Sequence, residues 1–281
     1  MPDIAHALVF AAVCLGLVEG LTEFLPVSST GHLILVGHLL GFDGLVGAEA
    51  AKTFEIFIQL GAILAVVVAY PRRFAGLLRL DNNHGFSGLR GIGLLVVVSL
   101  PGGVLGFLAG GTIKAHLFQP LTVAVGLAVG ALWILAVERR SPRTRREAID
   151  ALDWKDALGI GLFQCLALWP GMSRSSSTIL GGMMLGVERK TATEFSFFAA
   201  VPLLSAATLH ELYESRDLLA ADHALAFAIG FAVSFLAAWA AVRFFVRFLS
   251  RHTLEPFGWY RLAVAAIVLG LALLGGIRGN G

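Results

Sequence analysis

Apolar residues run almost without polar interruption through six stretches of the chain: 50–70, 91–109, 120–137, 191–213, 223–246 and 258–277. Each approaches the roughly 20 residues that an α-helix needs to cross a hydrocarbon core about 30 Å thick, so the pattern predicts six spans. Two further apolar segments, 4–41 and 156–186, are broken midway by proline, hydroxyl and charged residues. They predict hairpins of two helical arms that enter and return on one side. A spanning β-barrel would alternate apolar and polar positions. These runs are solidly apolar, and helices are the other structure that satisfies its own backbone in lipid.

The polar residues between the spans set a topology. Basic side chains gather in three places: Arg72, Arg73 and Arg79; Arg139, Arg140, Arg143, Arg145, Arg146 and Lys155; and Arg243, Arg247 and Arg251. Such loops stay cytoplasmic. Two crossings separate the first cluster from the second, which leaves 110–119 outside. Two more separate the second from the third, so 156–186 must return to the side it left. By the same reasoning 4–41 is a hairpin entered from outside, and both termini lie outside.

Each half then reads as a hairpin plus three spans. Three crossings turn the second copy over, so the expectation is an inverted repeat in one integral membrane domain, 1–281, with repeat one at 1–138, a basic cytoplasmic loop at 139–155 and repeat two at 156–281. EFLPVSST in the first hairpin resembles LWPGMSRSSST in the second, Pro26 and Pro170 mark the breaks, and Glu55 opens a span much as Glu194 does. Folds of this kind hold their ligand where broken helices meet near the midplane.

Composition agrees with a lipid solvent. Hydrophobic residues make up 57% of 281 positions and charged residues only 14%, against roughly a quarter in an ordinary soluble domain. Twenty-one basic and 19 acidic residues give a net charge of +2, too balanced to point to nucleic acid. Cys14 and Cys165 lie in apolar segments without metal-ligand spacing and read as packing residues. No basic leader or cleavage signal precedes the first apolar stretch, so that stretch is expected to remain in the mature chain. Gly126, Gly130 and Gly230 would permit close helix packing, a homodimer being one use of it.

The chemistry sits at the two breaks. In EGLTEFLPVSSTGHL, Glu19 and Glu23 lie one helical turn apart on one face. Each ionised carboxylate in the membrane costs about 2.5 kcal/mol or more, which a divalent cation or an arginine would offset. Their oxygens suit Mg²⁺ or Ca²⁺, with substrate phosphate completing the shell; a protonated, hydrogen-bonded glutamate is the plain alternative. After Pro26 come Ser28, Ser29 and Thr30 at a helix start, which makes an anion site. His32 sits one turn further on, placed to take a proton from a serine hydroxyl or simply to brace the fold.

In PGMSRSSST, five hydroxyls surround Arg174 ahead of another apolar helix. That is the composition of a phosphate cradle, with a guanidinium able to hold phosphate through two parallel hydrogen bonds or to pair with Glu19 or Glu23.

Taken in this order, both breaks and the following GMMLGVERKTATEFSFFAAVP resemble the undecaprenyl-pyrophosphate phosphatases, also called bacitracin-resistance proteins, over nearly the whole chain. The resemblance implies an undecaprenyl-diphosphate phosphatase in the bacterial inner membrane. It would recycle the carrier lipid of cell-envelope synthesis, require a divalent metal and open its site away from the cytoplasm. Residue by residue it implies Glu19 and Glu23 as the acidic motif, Ser28 and His32 as nucleophile and base, and Arg174 as the pyrophosphate-binding arginine. Ser173, Ser175 and Thr178 match the surrounding hydroxyls, and Ser29 and Thr30 complete the binding set. The family usually has glycine after SRS, where this chain has Ser176.

Rival classes fare less well. The histidine-nucleophile lipid phosphatases carry KxxxxxxRP and SRxxxxxH; the histidine of the second would fall at Leu180. A transporter or flippase of a phosphorylated polyprenyl lipid would share the fold but has less need of Glu19, Glu23, Ser28 and His32 together. A passive scaffold leaves the buried charges unexplained.

Overall fold

The apolar runs fold as helices because a backbone in lipid has no other local partner for its N–H and C=O groups. The computed structural model describes residues 2–79, 84–117, 119–140, 143–215 and 224–274. Met1, residue 223, the ends of the last predicted span at 275–277 and the C-terminus lie outside them.

The protein is all-α. The first hairpin is α1 (Pro2–Thr22) and α2 (Ser29–Leu39); a short α3 (Phe42–Val46) leads into α4 (Ala48–Ala69) and a further short helix, α5 (Pro71–Leu77). Two long helices follow, α6 (Gly88–Leu117) and α7 (Pro120–Arg140). The second hairpin is α8 (Trp154–Gln164) and α9 (Arg174–Met184), followed by α10 (Arg189–Glu214), α11 (Ala224–Leu249) and α12 (Glu255–Leu273). Among the described residues only an isolated bridge, Arg146 to Val187, departs from helix and loop.

Each of the six predicted spans coincides with one long helix. A seventh helix, α1, is also long and apolar enough to cross, through Ala5–Thr22, which the hairpin expectation did not foresee. The two hairpins are therefore unequal. The arms α8 and α9 have 11 residues each, about 16 Å at 1.5 Å per residue, or half a hydrocarbon core. The first hairpin joins one such half-length arm, α2, to a full-length one. Glu19 and Glu23 had marked an interruption there, but the helix carries Glu19 without breaking and ends only at Thr22.

Helix packing crosses between the halves. The first arm α1 lies along α11 and α8 lies along α6, while α4 meets α10 and α7 meets α12. Small residues bring the backbones together: a methyl on Gly16 would meet the Gly230 carbonyl at 2.5 Å, and one on Gly161 would meet the Val98 carbonyl at 2.6 Å. Gly126 abuts Pro170 and Gly171, Gly130 abuts Arg261, and Gly230 abuts Phe54 and Ile58. All three glycines singled out for close packing are thus filled from within the chain, and a dimer would need another surface.

The largest apolar core joins Phe24, Phe195, Phe197 and Phe198 to Val66, Val98, Ile160 and Ile179. Around the outside, Phe10, Leu17, Leu100, Phe107, Leu132 and Leu236 stay exposed. In water so much exposed apolar surface would be a liability; here it faces lipid. The loop ends are clamped by charge, through Arg189 to buried Glu138, Arg146 to Asp153 and Asp156, and Arg73 to Asp150.

Candidate active site

Each hairpin breaks in the same unusual way. Ser28 has φ 72° and Ser173 has φ 71°, and among the described residues they alone of the non-glycines have positive φ. Each immediately precedes the second arm of its hairpin. Holding an L-residue there costs about 1–3 kcal/mol and persists only where the surroundings enforce it, a feature that clusters at functional sites. Aligned on these serines, the counterpart of Pro26 is Gly171 rather than Pro170. Gly171 has φ +94°, and a Cβ there would run into the Val123 carbonyl of α7.

The two breaks meet through side chains. Arg174 donates from Nη2 to Glu23 Oε1 at 3.3 Å, with only 9% and 6% of the two side chains exposed. The other Glu23 oxygen accepts from the Ser29 hydroxyl at 2.6 Å. Ser175 of the second break donates to the Leu25 carbonyl of the first at 2.7 Å. Such a buried pair holds its partners in place more than it stabilises the fold, because taking both charges out of water offsets most of their attraction. Phe24 lies beneath the guanidinium, its ring centroid 5.6 Å from the arginine carbon.

Among the described residues of the two breaks three buried polar atoms have no partner: Ser176 Oγ and two atoms of charged side chains. The latter two are Arg174 Nε, a donor, and Glu19 Oε1, an acceptor. Buried groups are seldom left so, and the charged pair describes what the site lacks: an anion beside Arg174 and a cation or proton donor beside Glu19. No three His, Cys, Asp or Glu among the described residues form a closed metal cage. Mg²⁺, however, is commonly held by one or two carboxylates with substrate phosphates and water supplying the rest, so Glu19 and Glu23 fit that ion.

The hydroxyls divide by environment. Ser29 and Thr30 are partly exposed on the first turn of α2, whose N-cap Ser28 makes no side-chain capping bond. The N–H groups of that turn are therefore free to receive an anion. On α9, Ser173 caps the Ser176 N–H and bonds Ser175 Oγ. Thr178 spends its hydroxyl on the Arg174 and Ser175 carbonyls and on Ser196 Oγ at 2.6 Å. Ser175 and Thr178, expected to bind substrate, are fully buried and build the wall behind Arg174.

His32 is close to Ser28, but through the carbonyl. Its Nδ1 lies 2.8 Å from Ser28 O and its Nε2 lies 2.8 Å from the Tyr260 hydroxyl. A carbonyl only accepts, so Nδ1 carries the proton and the ring's lone pair points toward Tyr260. Glu55 faces Gly37 of α2, and Glu194 lies in the second turn of α10, neither hydrogen-bonded to Arg174.

Three contributors were not foreseen. Ser196 of α10 accepts from Arg174 Nη1 through its carbonyl at 2.9 Å and its hydroxyl at 3.1 Å. Tyr260 holds His32. Arg261 is fully buried and donates to the carbonyls of Pro26, Gly126 and Gly171. Ser196 carries no signal of its own within GMMLGVERKTATEFSFFAAVP. Arg261 does: a charge inside an apolar run is a functional flag.

Comparison with known proteins returns one family over most of the chain. Residues 12–267 match the model of the bacitracin resistance protein BacA. An undecaprenyl-diphosphatase of Nitratidesulfovibrio vulgaris (strain DP4) is 58% identical over 257 residues, 92% of this chain and 96% of that protein. One from Solidesulfovibrio magneticus is 55% identical over 258 residues, with the same coverage of both chains. One from Methylococcus capsulatus is 49% identical over 281 residues, covering 100% of this chain and 99% of the other.

Proposed function

This chain belongs to the BacA bacitracin-resistance family, and on that premise we propose that the joined hairpin breaks hydrolyse undecaprenyl pyrophosphate to undecaprenyl phosphate and inorganic phosphate. The chain is a multi-pass membrane enzyme, and its reaction recycles the carrier lipid of envelope synthesis, which is how the family confers bacitracin resistance. The single observation that carries the siting of this reaction is the Arg174–Glu23–Ser29 network, with an unpartnered donor on Arg174 and an unpartnered acceptor on Glu19.

In the proposed reaction an oxygen nucleophile attacks the terminal phosphorus. The bond from that phosphorus to the bridging oxygen breaks, and its electron pair leaves with undecaprenyl phosphate. Phosphoryl transfer asks little covalent chemistry of a protein and much positioning and charge stabilisation. Arg174 turns its guanidinium to the terminal phosphate, held from behind by Ser196. Ser29, Thr30 and the open first turn of α2 receive the phosphate oxygens. Glu19 and Glu23 would hold Mg²⁺ or Ca²⁺, which when bound neutralises phosphate charge. Ser173, Ser175 and Thr178 keep the second break rigid.

Two nucleophiles fit. Ser28 sits at the strained turn, but the basic nitrogen of His32 points toward Tyr260, and the ring must turn to serve the Ser28 hydroxyl. Water is the other nucleophile, its proton passing to the Tyr260 hydroxyl as that hydroxyl gives its own proton to His32 Nε2.

We further infer that the two halves are inverted copies, which the paired packing of α1 on α11 and α8 on α6 supports. From family membership we also infer a bacterial cytoplasmic membrane location and a site opening away from the cytoplasm; the three basic clusters support only the cytoplasmic side of their loops.

The test is phosphate release from undecaprenyl pyrophosphate by the purified protein, with and without chelator. Turnover that is chelator-sensitive and lost in Arg174→Ala and Glu23→Ala is the expected result. No turnover by folded wild type with Mg²⁺ or Ca²⁺ present would instead favour a transporter of phosphorylated polyprenyl lipid.

A further inference from the structure

One buried cation lies outside the network just described. Arg261, in the second turn of α12, is entirely inaccessible, and no described carboxylate pairs with it. Its two terminal nitrogens donate to backbone, while its Nε, also buried, has no partner. Nη1 donates to the Pro26 carbonyl at 3.3 Å, and Nη2 to the Gly171 carbonyl at 2.7 Å and the Gly126 carbonyl at 3.3 Å.

Pro26 stands two residues before Ser28, and Gly171 stands two residues before Ser173. A single guanidinium therefore takes the equivalent carbonyl from each break, directly upstream of the two serines with positive φ. Its third carbonyl belongs to α7, whose Gly126 and Gly130 leave the room: a Cβ on Gly130 would collide with Arg261 Nη2, and one on Gly126 would collide with the Pro170 carbonyl. The preceding residue, Tyr260, holds His32.

We propose that Arg261 is a positioning residue that sets the spacing of the two breaks, and so of Arg174 against Glu23, Ser29 and His32, without touching the substrate. The proposal rests on the reading that the two breaks form one phosphatase site. A planar fork with separate donors can hold two carbonyls at a fixed separation, whereas a lysine ammonium is a point that cannot. The Arg174–Glu23 contact is already long at 3.3 Å, so a small change in spacing would break it.

The test uses the purified full-length protein in detergent micelles with undecaprenyl pyrophosphate and Mg²⁺. In Arg261→Lys, which keeps the charge, kcat should fall about 100-fold, the cost of a displacement near 1 Å in a preorganised site, while KM stays within about twofold. Gly130→Ala keeps Arg261 in the chain but displaces its guanidinium, and should lower kcat in the same way. The double variant should lose little more than either single one, because both act on one contact. Gel filtration and thermal midpoints report whether each variant is folded, and Gly130→Ala carries the test if Arg261→Lys is not.

A folded Arg261→Lys with kcat near wild type overturns the proposal. So does a loss confined to KM, which would make Arg261 a direct substrate contact, or losses that multiply independently in the double variant. An inactive wild type removes the phosphatase reading and the proposal with it, a result visible before any variant is compared.

Discussion

The two hairpin breaks share a backbone and divide the chemistry. Both turn at a serine with φ near 70° and both launch an 11-residue helix. The first leaves its helix uncapped and surrounds it with two buried glutamates, a histidine and partly exposed hydroxyls. The second caps its helix with Ser173 and buries Ser175, Ser176, Ser177 and Thr178 completely. Its chemical contribution is one arginine. Two breaks of the same backbone shape thus carry different groups, one with carboxylates, an imidazole and an uncapped helix start, the other with a buried, well-held guanidinium. On the proposed reading the substrate phosphate sits over α2, whose start has no side-chain cap, with Arg174 reaching across, since Ser173 takes up one N–H at the start of α9.

The largest effect should come from cutting the link between the halves. Arg174→Ala removes a charged donor aimed at the phosphate, and a loss of about 1,000-fold in kcat/KM is expected from that alone. It also leaves Glu23 buried without its cation, which costs about 3–5 kcal/mol of stability. Adding Glu23→Gln should restore most of the thermal midpoint and none of the activity. Recovery of both would mean that Arg174 serves the fold and the division between the breaks is wrong.

The matched serines sharpen the comparison at smaller scale. Ser28→Ala should lower kcat about 10- to 100-fold while leaving turnover measurable, because His32 addresses the Ser28 carbonyl rather than its hydroxyl and water can attack in its place. Complete loss at normal folding would identify Ser28 as the nucleophile. Ser173→Ala should act on stability instead, by about 1 kcal/mol for a lost helix cap. Replacement by glycine separates backbone from side chain: Ser28→Gly relieves a strained φ without forfeiting a capping bond and should raise the thermal midpoint, while Ser173→Gly should gain less because it also loses the cap. Equal responses would show that the two turns are energetically alike.

Much of this was legible in the sequence, and the omissions have physical causes. Apolar run length located six spans because lipid thickness leaves little freedom. The breaks were visible because Pro26, Pro170 and the hydroxyl clusters interrupt those runs. Arg261 and Tyr260 were passed over because a span read as an average absorbs one arginine among many apolar neighbours. Ser196 could not be found, since one of its two contacts to Arg174 is a carbonyl, which every residue has, and the other is a hydroxyl that nothing in its stretch sets apart. Which hydroxyls face the substrate was equally invisible: Thr178 and Thr30 look alike in the chain, and only packing sends one to Ser196 and leaves the other partly exposed. The prolines marked both breaks, but the backbone feature the breaks share is the serine with positive φ, which no residue type announces.

The smallest expected effect lies away from both breaks and serves as their control. Asp150, in the basic loop between the halves, accepts from Arg73 at 3.0 Å and from the Phe86 N–H at 2.7 Å. Partial burial pushes its carboxyl up, but the Phe86 N–H and Arg73 pull it further down, so it sits below its ordinary value. A depressed carboxylate contributes stability that is complete above its unfolded pKa and is lost as pH falls through its folded one. The thermal midpoint of wild type should therefore exceed that of Asp150→Asn slightly at pH 7, and the gap should close as pH falls below the ordinary carboxylate range. The pair is exposed, with more than two fifths of each side chain accessible, so salt should shrink the gap as well. Phosphate release at pH 7 should be nearly the same in both proteins. A large loss of activity in Asp150→Asn would mean that the loop joining the halves controls how the breaks meet, and that their spacing is not set within the membrane alone.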